Sequence, residues 1–254
     1  MALPQNFNRI HDGEEFLRAR SVETIEGSPD LLAHAHMVES TMDLVNYFAA
    51  QGHHSDDDNL IVRLLGIRMF NAMASSLKLL LAGYYQNSAL IQRDLLESVF
   101  LLDYFRTDRS SIQAWRRSDK KLRVQRFGPA AIRKLLDDRD GFTKRKREAA
   151  YQLLSELAGH PTYASFRMLA PKPGSDAHCG PFFEATSLNA VLAELAKHAV
   201  QAGETIFAFV PSERPSDFEM KIAFLETKGG WMERFFGRKF DPVPIEELRS
   251  ILRG

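Results

Sequence analysis

Residues 90–105 read LIQRDLLESVFLLDYF. Leucine, isoleucine, valine and aromatic side chains dominate, with neither glycine nor proline to interrupt them, and the stretch reads as a core helix. At about 100° per residue, Ile91, Leu95, Val99, Leu102 and Phe105 form one wide apolar face. Gln92 and Asp103 make a narrow polar strip beside it. Arg93 and Glu97 lie beyond, on an arc shared with Leu90, Leu96, Phe100, Leu101 and Tyr104. A helix apolar on nearly all sides is central in its fold, so charges on its second surface need partners. Arg93 and Glu97 can pair at i, i+4. The guanidinium has donors to spare, and a further acceptor must come from the protein or from something it binds. Two readings follow: a buried ion pair that sets helix register, or a pair that lines a cleft.

Start and stop signals extend the helical pattern in both directions. Ser28-Pro29-Asp30 supplies an N-cap, a first-turn proline and a first-turn acid for a helix running to about Gln51, with Gly52 as its stop. The polar turn HHSDDDN (53–59) leads into a helix from about Asp57 to Tyr85, on the order of 45 Å long at about 1.5 Å per residue. A break at QNS (86–88) precedes the central stretch. Shorter helices are expected at 108–117, at 128–141 between Gly128-Pro129 and Gly141, and at 143–159, ended by Gly159. HPTYASFRMLAPKPGSDAHCGP (160–181) carries four prolines and two glycines and reads as an irregular loop, with a short hairpin around Phe166–Leu169. Helix resumes at 187–210, at 216–237 with a break at Gly229-Gly230, and at 244–253. Strand-like alternation and internal repeats are absent. The chain therefore reads as all-α, about eight helices in one domain over 1–254. It is an up-and-down bundle with its core over about 29–160, the loop, and C-terminal helices at 187–253 packing on it.

Bulk properties exclude several classes. Of 254 residues, 33 are Lys or Arg and 33 are Asp or Glu, which argues against a surface wholly given to nucleic acid or anionic lipid. A single cysteine, Cys179 in HCG, excludes an intrachain disulfide framework and multi-cysteine zinc sites, and reads as a loop thiol. The N-terminus lacks a basic region followed by an apolar run. The most apolar segment, 64–85, is interrupted by Arg68 and Lys78, short of the roughly 18–20 residues a span needs. The expectation is a cytoplasmic protein with no membrane contact.

Charge is distributed unevenly. Residues 116–147 hold thirteen cations against Asp119, Asp137, Asp138 and Asp140, a net +9 within a neutral chain. Arg116, Arg117, Lys120, Lys121, Arg123, Arg126, Lys144, Arg145, Lys146 and Arg147 are the candidate contacts to RNA or another anionic partner. Trp115 and Phe127 are candidate stacking surfaces. The other reading is a set of solvated faces paired with acids elsewhere. His160, between Gly159 and Pro161, is held at a helix end. Its ring either caps nearby carbonyls or serves acid–base chemistry near neutral pH.

Fewer possibilities attach to the remaining polar residues. His34 and His36 point about 200° apart on a helix and cannot chelate together. His53, His54 and Asp56–Asp58 form a polar loop in which helix capping accounts for the acids. No Gly-rich phosphate loop is present, and no cofactor is expected. Trp231, Met232, Phe235 and Phe236 follow helical spacing and read as core or a subunit contact.

The order NSALIQRDLLESVFLLDYF, then a basic helical stretch, then YQLLSELAGHPTY resembles the HEPN superfamily of helical bundles over about residues 60–165. The likeness is to its poorly characterised prokaryotic branch with an Arg-x-x-x-Glu helix and a His-Pro ending. It implies a bundle that often dimerises and, in many members, metal-independent ribonuclease activity in toxin–antitoxin or anti-phage systems. On that pattern His160 takes the place of the histidine, and Arg93 supplies the cation from another helix. Arg93, Glu97 and His160 would surround the reacting phosphate, Arg93 stabilising charge and His160 acting as general acid or base. A non-enzymatic protein-interaction module and a small-molecule sensor with its pocket beside the His-Pro loop are the alternative readings.

Overall fold

The computed structural model describes residues 4–50, 57–172 and 174–253. Its elements in chain order are α1 (Gln5–Glu26), α2 (Pro29–Ala50), α3 (Asp57–Leu81), α4 (Tyr85–Thr107), α5 (Ser110–Arg117), α6 (Lys120–Phe127), α7 (Pro129–Arg139) and α8 (Lys146–Leu154). One π-helical turn (Ser155–Gly159) and a 3₁₀ turn (Ser165–Leu169) follow, then α9 (Ala185–Phe207), α10 (Pro215–Phe236) and α11 (Val243–Arg253). The fold is an all-α helical bundle, with no strand among the described residues.

Four long helices, α2, α3, α4 and α9, make the centre. α3 packs chiefly on α4, α2 chiefly on α9, and α4 also lies against α9. One apolar cluster draws on α2–α10, with Met37, Leu44, Met69, Leu95, Leu102, Phe105, Leu195 and Phe224 among its enclosed side chains. α4 is the central helix that its composition implies. It meets α3 and α9, and also α7, α8, the π turn and the 3₁₀ turn. Buried hydroxyls join α3 to α4: Ser88 donates to the Ser76 carbonyl at 2.9 Å, and the two Oγ atoms lie 2.8 Å apart. By length and composition α3 could cross a membrane. In the bundle it is a core helix, packed on α2, α4 and α9.

Several boundaries differ from the sequence expectation for steric reasons. α3 ends at Leu81, not Tyr85, and α4 already begins at Tyr85. The turn is made by Gly83, whose φ is +86° and whose missing Cβ would fall 2.4 Å from the Phe182 carbonyl oxygen. A crossing chain segment that no local signal announces thus places the break. α10 runs unbroken through Gly229-Gly230. Gly229 is there because the ring of Phe240, on the chain returning from α10, occupies the place of a side chain, with Cδ2 1.9 Å from an ideal Cβ. The expected hairpin near Phe166 is the 3₁₀ turn. The basic stretch contains an additional helix, α6, capped by Asp119, which accepts from the Leu122 amide at 2.7 Å. α1, which the sequence reading left unassigned, is helical but buries only Ser21 and Ile25. α9, expected to pack on a completed core, lies within it. Gly52, the expected stop of α2, lies outside the described residues.

The two glycine roles have opposite consequences. A Cβ at Gly230 meets nothing within 4 Å, and Ala is favoured over Gly in a helix interior by about 1 kcal/mol. Gly230→Ala is therefore expected to raise the melting temperature by about 2–4 °C. Gly83→Ala is expected to destabilise by about 2–3 kcal/mol, since both φ and the Phe182 backbone exclude a side chain. Thermal melts that shift both variants in the same direction would contradict this account.

Candidate functional site

Arg93 and Glu97 stand one turn apart on α4, as their spacing requires, and face α8. The acceptor that Arg93 needs comes from the protein. Its Nη2 donates to the Tyr151 hydroxyl, which in turn donates to Glu97 Oε1 at 2.6 Å. Direct contact between the ionic partners is longer, 3.6 Å from Nη2 to Oε1, with the two side chains 25% and 33% exposed. The guanidinium also lies 4.7 Å from the centroid of the Tyr151 ring. Burial, and then the bond to Glu97, raises the Tyr151 pKa, which keeps the hydroxyl protonated and donating. Arg93 Nε is buried and has no hydrogen-bond partner among the described residues.

The π turn closes over this triad. The His160 amide donates to the Ser155 carbonyl at 3.0 Å, and a Cβ on Gly159 would sit 3.4 Å from both Cδ and Nη1 of Arg93. Glycine at the helix end thus lets the turn lie against the guanidinium. His160 follows immediately. Its ring is exposed and makes no hydrogen bond or ion pair among the described residues. The structure brings Arg93, Glu97 and Tyr151 together and sets His160 at the rim of the same corner. Asp94, next to Arg93, pairs with Arg68, whose Nε donates to Ser98 Oγ at 3.2 Å.

The polar strip of α4 is enclosed by the fold. Gln92 is fully buried and donates to the Val191 carbonyl at 3.1 Å. Asp103, also buried, accepts from Arg139 Nη1 at 3.2 Å and Nη2 at 3.0 Å, and pairs with Arg106 at 2.7 Å. Arg147 donates to Asp137 at 2.9 Å and also bonds Asp140, which Arg139 Nε reaches at 2.7 Å. Three carboxylates and three guanidinium groups so tie α7 and α8 to α4.

The basic stretch divides accordingly. Arg139 and Arg147 turn inward to aspartates. Arg116 pairs with Asp57 at 2.5 Å, and Arg145 with Glu148 at 3.4 Å. Arg117, Lys120, Lys121, Arg123, Arg126, Lys144 and Lys146 remain on the surface. Arg123 donates to the Ser118 carbonyl at 2.8 Å, and Lys146 lies 4.9 Å from the Phe142 ring centroid. Neither aromatic singled out for stacking is free. Phe127 is buried in the core, and half-buried Trp115 packs edge-on against Phe105 with ring centroids 5.9 Å apart.

Exposed aromatics occur instead after the His-Pro corner, in residues that composition marked only as loop. Tyr163 is 86% exposed, and Phe166 meets it edge-on. With Arg167 and Lys172 they line a cavity of about 760 Å³ beside the start of α9. The amides of Thr186 and Ser187 there are already satisfied by Glu184. The aromatic content of HPTYASFRML was visible in the sequence, but its exposure was not.

His34 is buried, accepts from Trp231 Nε1 at 3.0 Å and stacks on Phe235 at 4.1 Å, whereas His36 is exposed and 3.3 Å from Glu39. Among the described residues no group of three or more His, Cys, Asp or Glu side chains could hold a metal ion. His53, His54 and Asp56 lie outside them. Cys179 is exposed. Comparison of the chain with family models, with curated proteins and with solved structures found no match.

Two outcomes follow from the bonding. Tyr151→Phe removes the hydroxyl that joins Arg93 to Glu97 and is expected to cost about 1–3 kcal/mol, measurable by thermal denaturation; unchanged stability would show that the link carries no weight. Asp140 has its pKa lowered to about 2, first by the bond from Arg139 and further by Arg147. Because the folded-state value is depressed, its stabilisation is fully present above the ordinary carboxylate range near pH 4 and is lost as pH falls through about 2. Chemical denaturation from pH 5 to 2 should show stability declining less steeply for Asp140→Asn than for the wild type. Identical slopes would refute the assignment.

Proposed function

We propose that the protein is a HEPN-like helical bundle that binds RNA through the exposed cations of α5, α6 and the turn into α8. The observation that carries this reading is the state of residues 117–126. Five cations, Arg117, Lys120, Lys121, Arg123 and Arg126, occur within ten residues, all exposed. The only acid of the segment, Asp119, is engaged as the N-cap of α6. The inward arginines have consumed the nearby aspartates, which leaves these outer charges for solvent or a polyanion. Leu122 and Val124 stand exposed among them and offer apolar contact to bases.

Fluorescence anisotropy with a labelled single-stranded RNA, across a salt series, tests the reading. Each phosphate contact removed lowers the salt slope by roughly 0.7–1. The combined Lys120→Glu, Lys121→Glu, Arg123→Glu variant should therefore bind more weakly and with a slope reduced by about 2–3. Wild-type binding that is absent, or insensitive to these substitutions, would reject RNA as the partner of this face.

A cleavage reading is favoured by one feature, the exposed, unbonded imidazole of His160 directly after the glycine that abuts Arg93. In that reading Arg93, held by Tyr151 and Glu97, stabilises developing charge, and His160 moves the proton. Total RNA incubated with EDTA should then be cut by the wild type, and not by His160→Ala or Arg93→Ala. Equal cleavage by all three, or none, would leave binding as the function.

A further inference from the structure

α10 is fastened to α2 at two points of different chemistry. Near its start, the Tyr47 hydroxyl donates to Oδ1 of the enclosed Asp217 at 2.7 Å. Near its end, Trp231 Nε1 donates to Nδ1 of His34 at 3.0 Å. His34 is 5% exposed and Trp231 4%. The imidazole stacks on Phe235 with ring centroids 4.1 Å apart, and Trp231 packs on Phe235 and Phe236 at 5.4 Å. α10 lies mainly on α2 and touches α9 only lightly, while α11 packs chiefly on α10. The far fastening therefore holds the last turns of α10 and, through them, α11.

An indole N–H can only donate. Nδ1 of His34 must therefore carry a lone pair, which makes the ring neutral with its proton on Nε2. A proton added at Nδ1 turns the acceptor into a donor and sets two N–H groups against each other inside the core. Burial is the largest influence on the ring and lowers its pKa; Asp30 on its own helix opposes this, and Lys197 on α9 and Arg234 on α10 add to it. Those charges are themselves paired, Arg234 with Asp30 at 2.6 Å and Lys197 with Glu194 at 2.5 Å. None of them comes from α1 or α3, the other helices packed on α2. His198, the other buried histidine, lies on α9 and is also uncharged, its pKa pushed down to about 4 by burial. The near fastening behaves differently. Against the effect of burial, bonds from Tyr47 and Arg214 hold the Asp217 carboxyl well below the usual range.

We propose that the His34–Trp231 bond is an acid-released latch on the C-terminal part of the chain. With the ring neutral, α10 is closed on α2 along its length. Protonation of Nδ1 breaks the bond, and the last turns of α10 loosen with α11 and uncover Trp231 and Phe235, while Tyr47 and Asp217 keep the start of α10 in place. Because burial depresses the closed-state value, the open form takes up the proton more readily. The latch is at full strength above about pH 6.5 and weakens as pH falls below it, by up to about tenfold in the closed-to-open ratio per pH unit for one proton. None of these residues belongs to the basic segment or to the His-Pro corner, so the latch does not rest on RNA binding.

Hydrogen exchange of the Trp231 indole N–H in the full chain, followed by two-dimensional NMR and assigned with Trp115→Phe, tests the latch. Protection is taken relative to free indole at the same pH, from about pH 7.5 to about pH 5, above the range near 4 in which Asp30 and Glu194 protonate. It should fall by about tenfold across that window, while the backbone amides of α3 and α4 keep theirs, which separates opening of α10 from global unfolding. His34→Asn retains an acceptor near the position of Nδ1 and cannot titrate, so its protection should stay level. Should His34→Asn fail to fold, the His34 ring is titrated by NMR in the wild type and in Trp231→Phe, where loss of the donor should raise its midpoint. The proposal is overturned if wild-type protection is level across the window, if it falls equally in His34→Asn, or if the His34 midpoint is the same with and without Trp231.

Discussion

Asp103 sits on the central helix with its carboxylate buried, and a carboxylate taken out of water costs several kcal/mol unless cations and hydrogen-bond donors surround it. Arg139 and Arg106 meet that demand directly, and Arg147 approaches to 3.8 Å. Arg139 arrives from the end of α7 and Arg147 from the first turn of α8. One buried charge on α4 thereby fixes where two further helices dock. Asp137 and Asp140 complete the exchange by engaging the donors that Asp103 leaves over. Once α8 is held, Tyr151 falls between Arg93 and Glu97, and the π turn that follows lies against Arg93.

The same network sorts the charges of the basic segment. Arginines that can reach the aspartates of α4 and α7 turn inward and are neutralised. Arg117 and the cations of α6 make no ion pair among the described residues and remain at the surface. Arg133 belongs to neither group, being buried against Tyr151 with no carboxylate partner among the described residues. Three physical fates therefore exist within one run of cations: structural pairing, surface charge, and an enclosed guanidinium beside a cavity. The RNA-binding reading rests on the second, because only unneutralised, accessible charge attracts a partner.

Much of the fold was legible in the chain. Ser28-Pro29 and Gly128-Pro129 start helices where capping chemistry places them, Gly141 follows the end of α7, and Gly159 ends the π turn after α8. The apolar LIQRDLLESVFLLDYF is the central helix. The pairing of Arg93 with Glu97, and the need of Arg93 for another acceptor, were also readable. The identity of that acceptor was not, because Tyr151 lies 58 residues away. Gln92 and Asp103 read only as a polar strip, because a wheel knows nothing of α7 and α9. The helix expected through Gly83 stops there, and the break expected at Gly229 is absent, for a related reason. Phe182 and Phe240, which require these glycines, approach through space, whereas a glycine's part is read from its own sequence neighbourhood.

By itself, then, the sequence determined the all-α class, the centrality of α4 and most helix starts, because caps, prolines and 3.6-residue periodicity act through contacts within a turn or two. The tertiary structure alone decided which charges are spent internally and which remain available. An ion pair needs its partners within about 4 Å, and the aspartates that claim Arg139 and Arg147 come into range only when α4, α7 and α8 pack together.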